Sequence, residues 1–447
     1  LDIVSLLPSF GGFAATVIAF ILALSIIVFV HEFGHYIVGR WCGIGAEVFS
    51  LGFGPVLWSR VDARGTRWQV AALPFGGYVK FLGDADAASG RDDAALEAAR
   101  GSNIHGDTMH GAPLWARSAT VAAGPVANFI LSILVFAMVF IVGGLARDTP
   151  IVGALKPLPQ DIPVELQPGD RILAVDGNEV PSFEAYFDYA DSAAPAPSKS
   201  YLVERDSTRM TVEGPFPMPP LVSSVQPRSA AIAAGLEAGD MIRAVDGQPI
   251  ASFNELKNAV TQSGTDPLRL TIWRSGQTLE IALLPKIVDL PADEGGWETR
   301  KLIGITGSTF FEPHTYTPGP LEALKLGSER TWGVITGSLS GLWHMVTGAI
   351  SSCNLQGPIG IAEVSGAAAS QGLESFIWFI AVLSTAVGML NLFPIPVLDG
   401  GHLVFFGYEA VTGRPPSDRA LQIMMTVGLT LILSLMVFGL TNDLFCP

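Results

Sequence analysis

The run that most limits how this chain can fold is residues 13–30 (FAATVIAFILALSIIVFV), which carry no charge and lead without a break into His31-Glu32-Phe33-Gly34-His35. As a helix, such a run crosses the ~30 Å of hydrocarbon in a bilayer, and helices are one of only two architectures that satisfy their own backbone there. An ionisable group at that depth costs roughly 2.5–3.5 kcal/mol on insertion scales, so Glu32 and the two histidines need a partner. Their spacing supplies a candidate. Histidines four apart lie one turn apart on the same side of a helix and can hold one zinc ion between them. The intervening glutamate is the residue type that takes a proton from a water activated by such an ion. The pattern is short enough to arise by chance, and the same residues could instead cap a membrane helix among the headgroups. The remainder of the chain decides between these.

At 49% hydrophobic and only 15% charged residues, the 447-residue chain is too apolar for an ordinary soluble protein. A net charge of −15 argues against a nucleic-acid partner. The three cysteines, Cys42, Cys353 and Cys446, are too few and too scattered to announce a disulfide framework or a CxxC zinc site. Cys42 reads as a small buried hydrophobe.

Four stretches are long enough to span a membrane: 13–30 (continuing helically to about 41), 119–142, 375–398 and 420–440. None contains Lys or Arg. The first basic residue is Arg40, and Arg60, Arg64, Arg67, Lys80, Arg91, Arg100 and Arg117 follow before the second stretch. The positive-inside rule puts the N-terminus outside, 40–118 in the cytoplasm, Arg414 and Arg419 in the cytoplasm, and the C-terminus outside. The first stretch lacks a basic n-region and is read as a retained span, not a cleaved signal peptide.

Between the first two spans, GAEVFSLGFGPVLWS and WQVAALPFGGYVKF flank a polar turn at 60–65. Their β-branched, aromatic and glycine content predicts one or two β-hairpins. Their apolarity fits a re-entrant sheet whose open edge pairs with an extended substrate, or alternatively a hairpin packed on the cytoplasmic membrane surface. Residues 84–110, rich in Ala, Asp and Gly, read as a flexible or weakly helical cytoplasmic loop in which His105 and His110 are exposed and not ligands. Asn128, within the apolar second span, needs a hydrogen-bond partner. It is either a polar clamp between helices or a substrate contact.

Residues 147–370 are the only large hydrophilic region. PGDRILAVDGNEVPSFE (168–184) recurs as AGDMIRAVDGQPIASFN (238–254), which predicts two copies of a strand, Asp-Gly turn, strand and helix starting near the Ser-Phe pair. The pattern resembles PDZ domains of bacterial proteases, which add a peptide to a sheet edge, though a pair of steric spacers would look the same. EALKLGSERTWGVITGSLSGLWHMV (322–346) follows, with Leu324, Trp332, Ile335, Leu339, Leu342 and Val346 at helical spacing. It reads as an amphipathic helix on the outer membrane surface, with His344 at the interface and not a ligand. GPIGIAEVSG (357–366) leads back to the membrane.

The third span ends in NLFPIPVLDGG. Pro394 and Pro396 must break or kink the helix, which re-aims Asp399. A lone carboxylate there is costly unless paired, and two histidines need a third ligand if zinc is to keep one position open. Asp399 and His31 both fall near the cytoplasmic ends of their spans, so Asp399 is the candidate third ligand. A helix cap is the alternative, and His402 is the weaker candidate.

HEFGH, NLFPIPVLDGG, FSLGFG (49–54), PFGGYVK (74–80), AGPVAN (123–128) and the tandem repeat together resemble the site-2 protease family of intramembrane zinc metalloproteases. The resemblance covers essentially the whole chain. It implies Zn2+ held by His31, His35 and Asp399, with Glu32 as general base. It implies substrate handling by Asn391, extension of the substrate by the element at 47–80, and an extracytoplasmic PDZ pair acting as a size filter. The candidate substrate-contacting residues are Asn391, Pro394, Gly52, Gly54 and Asn128. The implied substrates are pre-trimmed single-pass membrane proteins such as an anti-sigma factor, and remnant signal peptides, in the bacterial inner membrane during stress responses.

The expected fold is a polytopic α-helical membrane protein with four spans, a re-entrant β-hairpin element and two extracytoplasmic PDZ-like α+β domains. Its expected divisions are 1–42, 43–118, 119–145, 146–219, 220–310, 311–370, 371–402 and 403–447. Two rival readings remain at this point: a metal-ion transporter, which predicts paired broken helices near the midplane, and a non-catalytic PDZ scaffold.

Overall fold

The structure is a computed structural model that describes residues 12–84, 108–226, 228–291 and 297–446. Most of the polar loop expected at 84–110, including His105, lies outside the described residues. The chain divides into two compact units: residues 1–139, 320–348 and 352–447 form the first, and 140–319 with 349–351 the second.

Among the described residues, four helices are long and apolar enough to cross a membrane: Phe13–Trp41 (α1), Leu114–Gly143 (α2), Leu373–Asn391 and Arg419–Phe445. The buried stripe of α1 is Ala19, Ala23, Ile27, His31 and His35, stepping by four residues. The small apolar contacts that pack the helix therefore continue into the two histidines on one face. α2 answers with Ala116, Thr120, Gly124, Asn128 and Ser132, again at steps of four. Small residues let the two backbones approach closely: a Cβ at Gly34 would lie 2.7 Å from the Ala127 Cβ, with the Ala123 carbonyl nearer still. Where hydrocarbon offers no water, polar groups tie helices together. Ser132 Oγ donates to the carbonyls of Asn128 and Ala381, and Ser384 Oγ donates to Asn128 O.

After α1 the chain forms one long irregular hairpin, Ala46–Val61 (β1) and Arg67–Phe81 (β2). Residues 48–51 pair with 77–80 on one side and with 67–70 on the other, and 67–71 pair in turn with 56–61. The two strands thus lie as four rows in the order 77–81, 46–51, 67–71 and 56–61. Glycine makes the bends: Gly52, Gly54 and Gly76 have φ of +91°, +83° and +144°, and a Cβ at Gly52 would come 2.8 Å from the Leu73 carbonyl. Phe49 stacks on Trp68 and meets Tyr36 edge-on, which fastens the sheet to α1. The far row leaves Val56, Leu57 and Trp58 exposed, an apolar rim without protein cover.

The second repeat of the sequence pattern follows the first as expected. In the first copy, strands Arg171–Val175 (β3), Asn178–Glu179 (β4), Lys199–Arg205 (β5) and Thr208–Gly214 (β6) form a sheet in the order β4-β3-β5-β6, with helix Phe183–Ser192 (α3). The second copy comprises Met241–Val245 (β7), Gln248–Pro249 (β8), Leu268–Arg274 (β9) and Gln277–Leu283 (β10) with helix Phe253–Gln262 (α4). Asp176 and Asp246 sit at φ +49° in their Asp-Gly turns, and Ser182 and Ser252 cap the helices. After the second copy the chain returns to both: 305–307 pair with 222–225, and 311–313 pair with 152–155. Phe310 and Phe311 are buried in the first copy's core. The segment just past residue 310 therefore belongs with the first copy and not with the membrane return.

Each copy also buries an aspartate on an arginine. Arg205 holds fully buried Asp170 through Nε and Nη2 at 2.7 Å, and Arg274 holds Asp240 at 2.6–2.7 Å. Burial alone would raise the Asp170 carboxyl. The Arg205 guanidinium and the Gln167 N–H outweigh it and hold the group below the usual carboxylate range. Arg205→Ala is expected to destabilise this sheet by about 3 kcal/mol, the low end of the range for stripping the partner from a buried charge. Hydrogen exchange over 199–214 in the intact chain reads this. Because the folded carboxyl is depressed, its contribution is fully present above the ordinary value near ~4 and is lost as pH falls through the folded value. The gap between variant and wild type should therefore close in acid.

Back in the first unit, helix Pro320–Val346 (α5) buries Ala323, Gly327 and Thr331 and turns Leu321, Trp332, Trp343 and Val346 outward. Its small residues make the packed face and its large apolar residues the exposed one. Helix Pro358–Ser370 (α6) then leads to Leu373–Asn391 (α7). α7 stops at Asn391, seven residues short of the end expected for the third span. Pro394 and Pro396 hold 392–398 in a loop, and Asp399 opens a separate helix, Asp399–Thr412 (α8). The loop folds tightly over the first turn of α8, and a Cβ at Gly401 would meet Ile395 C and Pro396 Cα at 2.7 Å. Val397 lies in this loop at φ +99°, a strained value for a β-branched residue. The last helix, Asp418–Phe445 (α9), packs Gly428 on Pro396 and Gly439 on Gly357.

One expectation is overturned here. Cys353 and Cys446 are joined in a disulfide. The two lie 93 residues apart, and nothing in their spacing signals the pairing. The contact is built by α9 reaching the segment before α6, where Asp443 accepts the N–H groups of Gly357 and Ile359 and Asn442 Nδ2 donates to Ser352 O and Leu355 O.

Candidate active site

His31, His35 and Asp399 meet where α1 passes the start of α8. His31 Nε2 is 3.1 Å from His35 Nε2 and 3.1 Å from Asp399 Oδ2, and His35 Nε2 is 3.5 Å from the same oxygen. Among the described residues this is the one group of three such donors within 4.8 Å of one another. A tetrahedral zinc with ~2.0–2.1 Å bonds to nitrogen and oxygen sets its ligand atoms about 3.3–3.4 Å apart. Two imidazoles and a carboxylate are also the donor types of catalytic zinc sites that leave one position open. Asp399 Oδ2 is buried and accepts no hydrogen bond from the described residues, as befits an oxygen reserved for a cation. The residues present fit zinc.

The histidines are held from behind. His35 Nδ1 faces the Thr120 carbonyl at 2.9 Å, and His31 Nδ1 faces the Asn128 amide at 3.2 Å. Such partners orient metal-binding imidazoles and fix which nitrogen is bare. Gly124 lies between these two contacts on α2. A Cβ there would meet the His31 ring at 2.9 Å and the His35 ring at a still shorter distance.

A cavity of about 260 Å³ opens in front of the triad. Glu32 lines it beside the row 77–81, and a Cβ on Gly77 would touch Glu32 Cγ at 3.2 Å. Asn391, His402 and Arg117 also line it. Arg117 clamps Glu409 of α8 through both guanidinium ends, at 2.7 and 3.1 Å.

Of the other candidate residues, Asn391 reaches the cavity, whereas Pro394, Gly52, Gly54 and Asn128 do not line it. Gly52 and Gly54 shape the bends of the hairpin. Pro394 is exposed in the loop before α8. Asn128 is fully buried behind His31, so of its two readings the polar clamp matches its position. His402 lies in the cavity wall, outside the triad. His110 is not the exposed residue expected: it lines the cavity with Nε2 3.5 Å from Asp84 Oδ1, a fully buried carboxylate that burial raises above its usual range despite His110. Gly124 and the Thr120 carbonyl were not singled out from sequence. The run of small residues at 122–124 hinted at close contact, but a backbone carbonyl leaves no trace in a side-chain pattern.

A carboxylate beside a His/His/Asp cluster that could hold a metal ion, at the end of a membrane-long helix, is the donor set of a membrane-embedded metallohydrolase. The profile of peptidase family M50 matches residues 19–435. A protein of Agrobacterium fabrum named as a candidate zinc metalloprotease is 36% identical over 441 residues, covering 98% of this chain and 98% of its own length. The regulator of sigma-E protease RseP of Salmonella typhimurium is 34% identical over 455 residues, covering 95% of this chain and 97% of its own length. The chain belongs to peptidase family M50, the site-2 protease family. It is a zinc metalloendopeptidase of the intramembrane type, and zinc is its cofactor. The transporter and scaffold readings fall with that membership.

Proposed function

We propose that His31, His35 and Asp399 hold the zinc and that Glu32 is the general base of peptide-bond hydrolysis within the membrane. The observation that carries this is the convergence of three donor atoms beside Glu32 in one cavity. Zinc, when bound, supplies the Lewis acid that polarises the scissile carbonyl and acidifies water. Glu32 takes the proton of the attacking water and delivers it to the leaving amine nitrogen, so that the carboxylate is regenerated with each turnover.

A substrate helix hides its backbone in its own hydrogen bonds and must be unwound before attack. Row 77–81 pairs on one side with 46–51 and lines the cavity at Gly77, Tyr78, Val79 and Phe81. An extended segment added along it would recover the hydrogen bonds lost on unwinding. In this reading the hairpin is a re-entrant element and Asn391 steadies the unwound segment at the cavity wall.

The two repeated copies are read as a tandem PDZ pair on the extracytoplasmic side, admitting only substrates already trimmed there. The distribution of Arg and Lys supports this orientation. The Cys353–Cys446 disulfide supports it too, because such bonds persist in oxidising compartments. The chain is thus read as an inner-membrane protease of regulated proteolysis. Its substrates would be single-pass membrane proteins of the anti-sigma-factor kind, with remnant signal peptides as a second class.

Asp399→Asn should lower zinc affinity at least about tenfold, the smallest loss seen when even an outer partner of a metal site is removed. Competition with a chromophoric chelator measures this, and wild-type affinity in that variant would show the ligand set to be wrong. A model membrane peptide should be cleaved, and the same peptide carrying a bulky outer domain should resist. Equal cleavage of both would dispose of the filter.

A further inference from the structure

The hydrogen-bond network behind the triad contains one residue whose role is not settled by its being buried. The Thr120 carbonyl can only accept, so His35 Nδ1 donates to it, and the neutral His35 ring has a bare Nε2. That bare nitrogen lies 3.1 Å from His31 Nε2. Two bare nitrogens at this separation repel unless a cation lies between them, so without one His31 carries its hydrogen on Nε2. From there it donates to His35 Nε2. His31 Nδ1 is then bare and accepts from Asn128 Nδ2 at 3.2 Å, as the amide is placed. Asn128 Oδ1 is left buried with no partner among the described residues.

Holding a cation demands the opposite tautomer of His31. Nε2 must be bare, Nδ1 must carry the hydrogen, and an acceptor must face Nδ1. Turning the Asn128 carboxamide over exchanges Oδ1 and Nδ2 within the same envelope. Oδ1 then accepts Nδ1–H, and Nδ2 takes the place where Oδ1 had no partner. A carboxamide can serve either tautomer without bringing a charge to membrane depth. The rest of the residue has little freedom to move: its carbonyl accepts from Ser132 and Ser384, and Gly388 packs close to its Cβ.

We propose that Asn128 is a positioning residue that selects the His31 tautomer, its amide reversing when the site takes up zinc. This rests on His31 being a ligand, and the experiment separates the two ideas. Zinc affinity of the full-length protein in detergent is measured by chelator competition for wild type, Asn128→Leu, Asn128→Asp and His31→Ala. Leucine keeps the volume and removes the acceptor, and its affinity should fall about 10–100-fold. Aspartate can only accept, and it should bind at least as tightly as wild type. A leucine variant with wild-type affinity overturns the proposal. So does an aspartate variant as weak as leucine, which would make Asn128 a packing residue only. If His31→Ala keeps its zinc, the ligand assignment itself fails. If it loses zinc while Asn128→Leu does not, only the present inference fails.

Nitrogen-15 spectra of histidine-labelled wild type need no variant to fold. Protein stripped of zinc should show His31 as the Nε2–H tautomer, and zinc-loaded protein should show Nδ1–H. An unchanged tautomer would rule out the reversal.

Discussion

Replacing Glu32 by glutamine should leave zinc bound at wild-type stoichiometry and reduce cleavage of a membrane peptide by about 10²–10⁴-fold, the usual weight of a positioned general base. The two side chains are nearly isosteric. Glutamine keeps the packing against Gly77 and the place in the cavity wall, and His31, His35 and Asp399 are untouched. What it loses is the capacity to accept a proton from water and return it to the leaving amine. The separation of the two readouts gives the test its force. A variant that loses zinc as well would mean that Glu32 supports the metal site, and a variant that still cleaves would remove Glu32 from the chemistry altogether.

The convergence of His31, His35 and Asp399 beside Glu32 was legible in the sequence because its signals are local or physically forced. HEFGH declares itself by the i, i+4 spacing, and the apolar run before it fixes its setting. Asp399 is 364 residues from His35, yet it could be singled out because a carboxylate in an apolar run needs a reason to be there. The doubled strand–turn–strand–helix was equally plain, since an Asp-Gly turn and a Ser cap are written into adjacent residues. What was hidden depends on contacts between distant elements. The arginines that hold Asp170 and Asp240 lie on the third strand of each sheet, outside the repeated motif. Cys353 meets Cys446 only because α9 returns to the start of α6. His110 looked exposed by its polar neighbours, whereas the fold brings it beside Asp84 in the cavity wall. The hairpin was expected, but its doubling into four rows follows from glycine bends whose partners are set only when the strands meet.

Gly124→Ala should lose zinc although it alters no ligand, no charge and no hydrogen bond. Gly124 lies inside α2, and in a helix interior alanine is favoured over glycine by about 1 kcal/mol. On helix propensity alone the substitution should stabilise the protein. The contact argues the other way. The added methyl would stand 2.9 Å from His31 Cε1 and nearer still to His35 Nε2, distances that real Cβ atoms essentially never adopt. Neither ring can retreat easily, because His35 is held by the Thr120 carbonyl and His31 by Asn128, one turn to either side of the glycine. The methyl must therefore push the imidazoles off the positions from which they converge. Zinc affinity is expected to drop at least about tenfold, as when a metal-orienting partner is lost, with cleavage falling alongside and no gain in the thermal transition, since overpacking of about 1–3 kcal/mol offsets the helix-propensity gain. Gly337→Ala on α5, where a Cβ would meet nothing within 4 Å, is the matched control and should leave both zinc affinity and cleavage as they are. Wild-type zinc binding by Gly124→Ala would mean that the rings have room the geometry denies them, and that α2 does not form the back wall of the site.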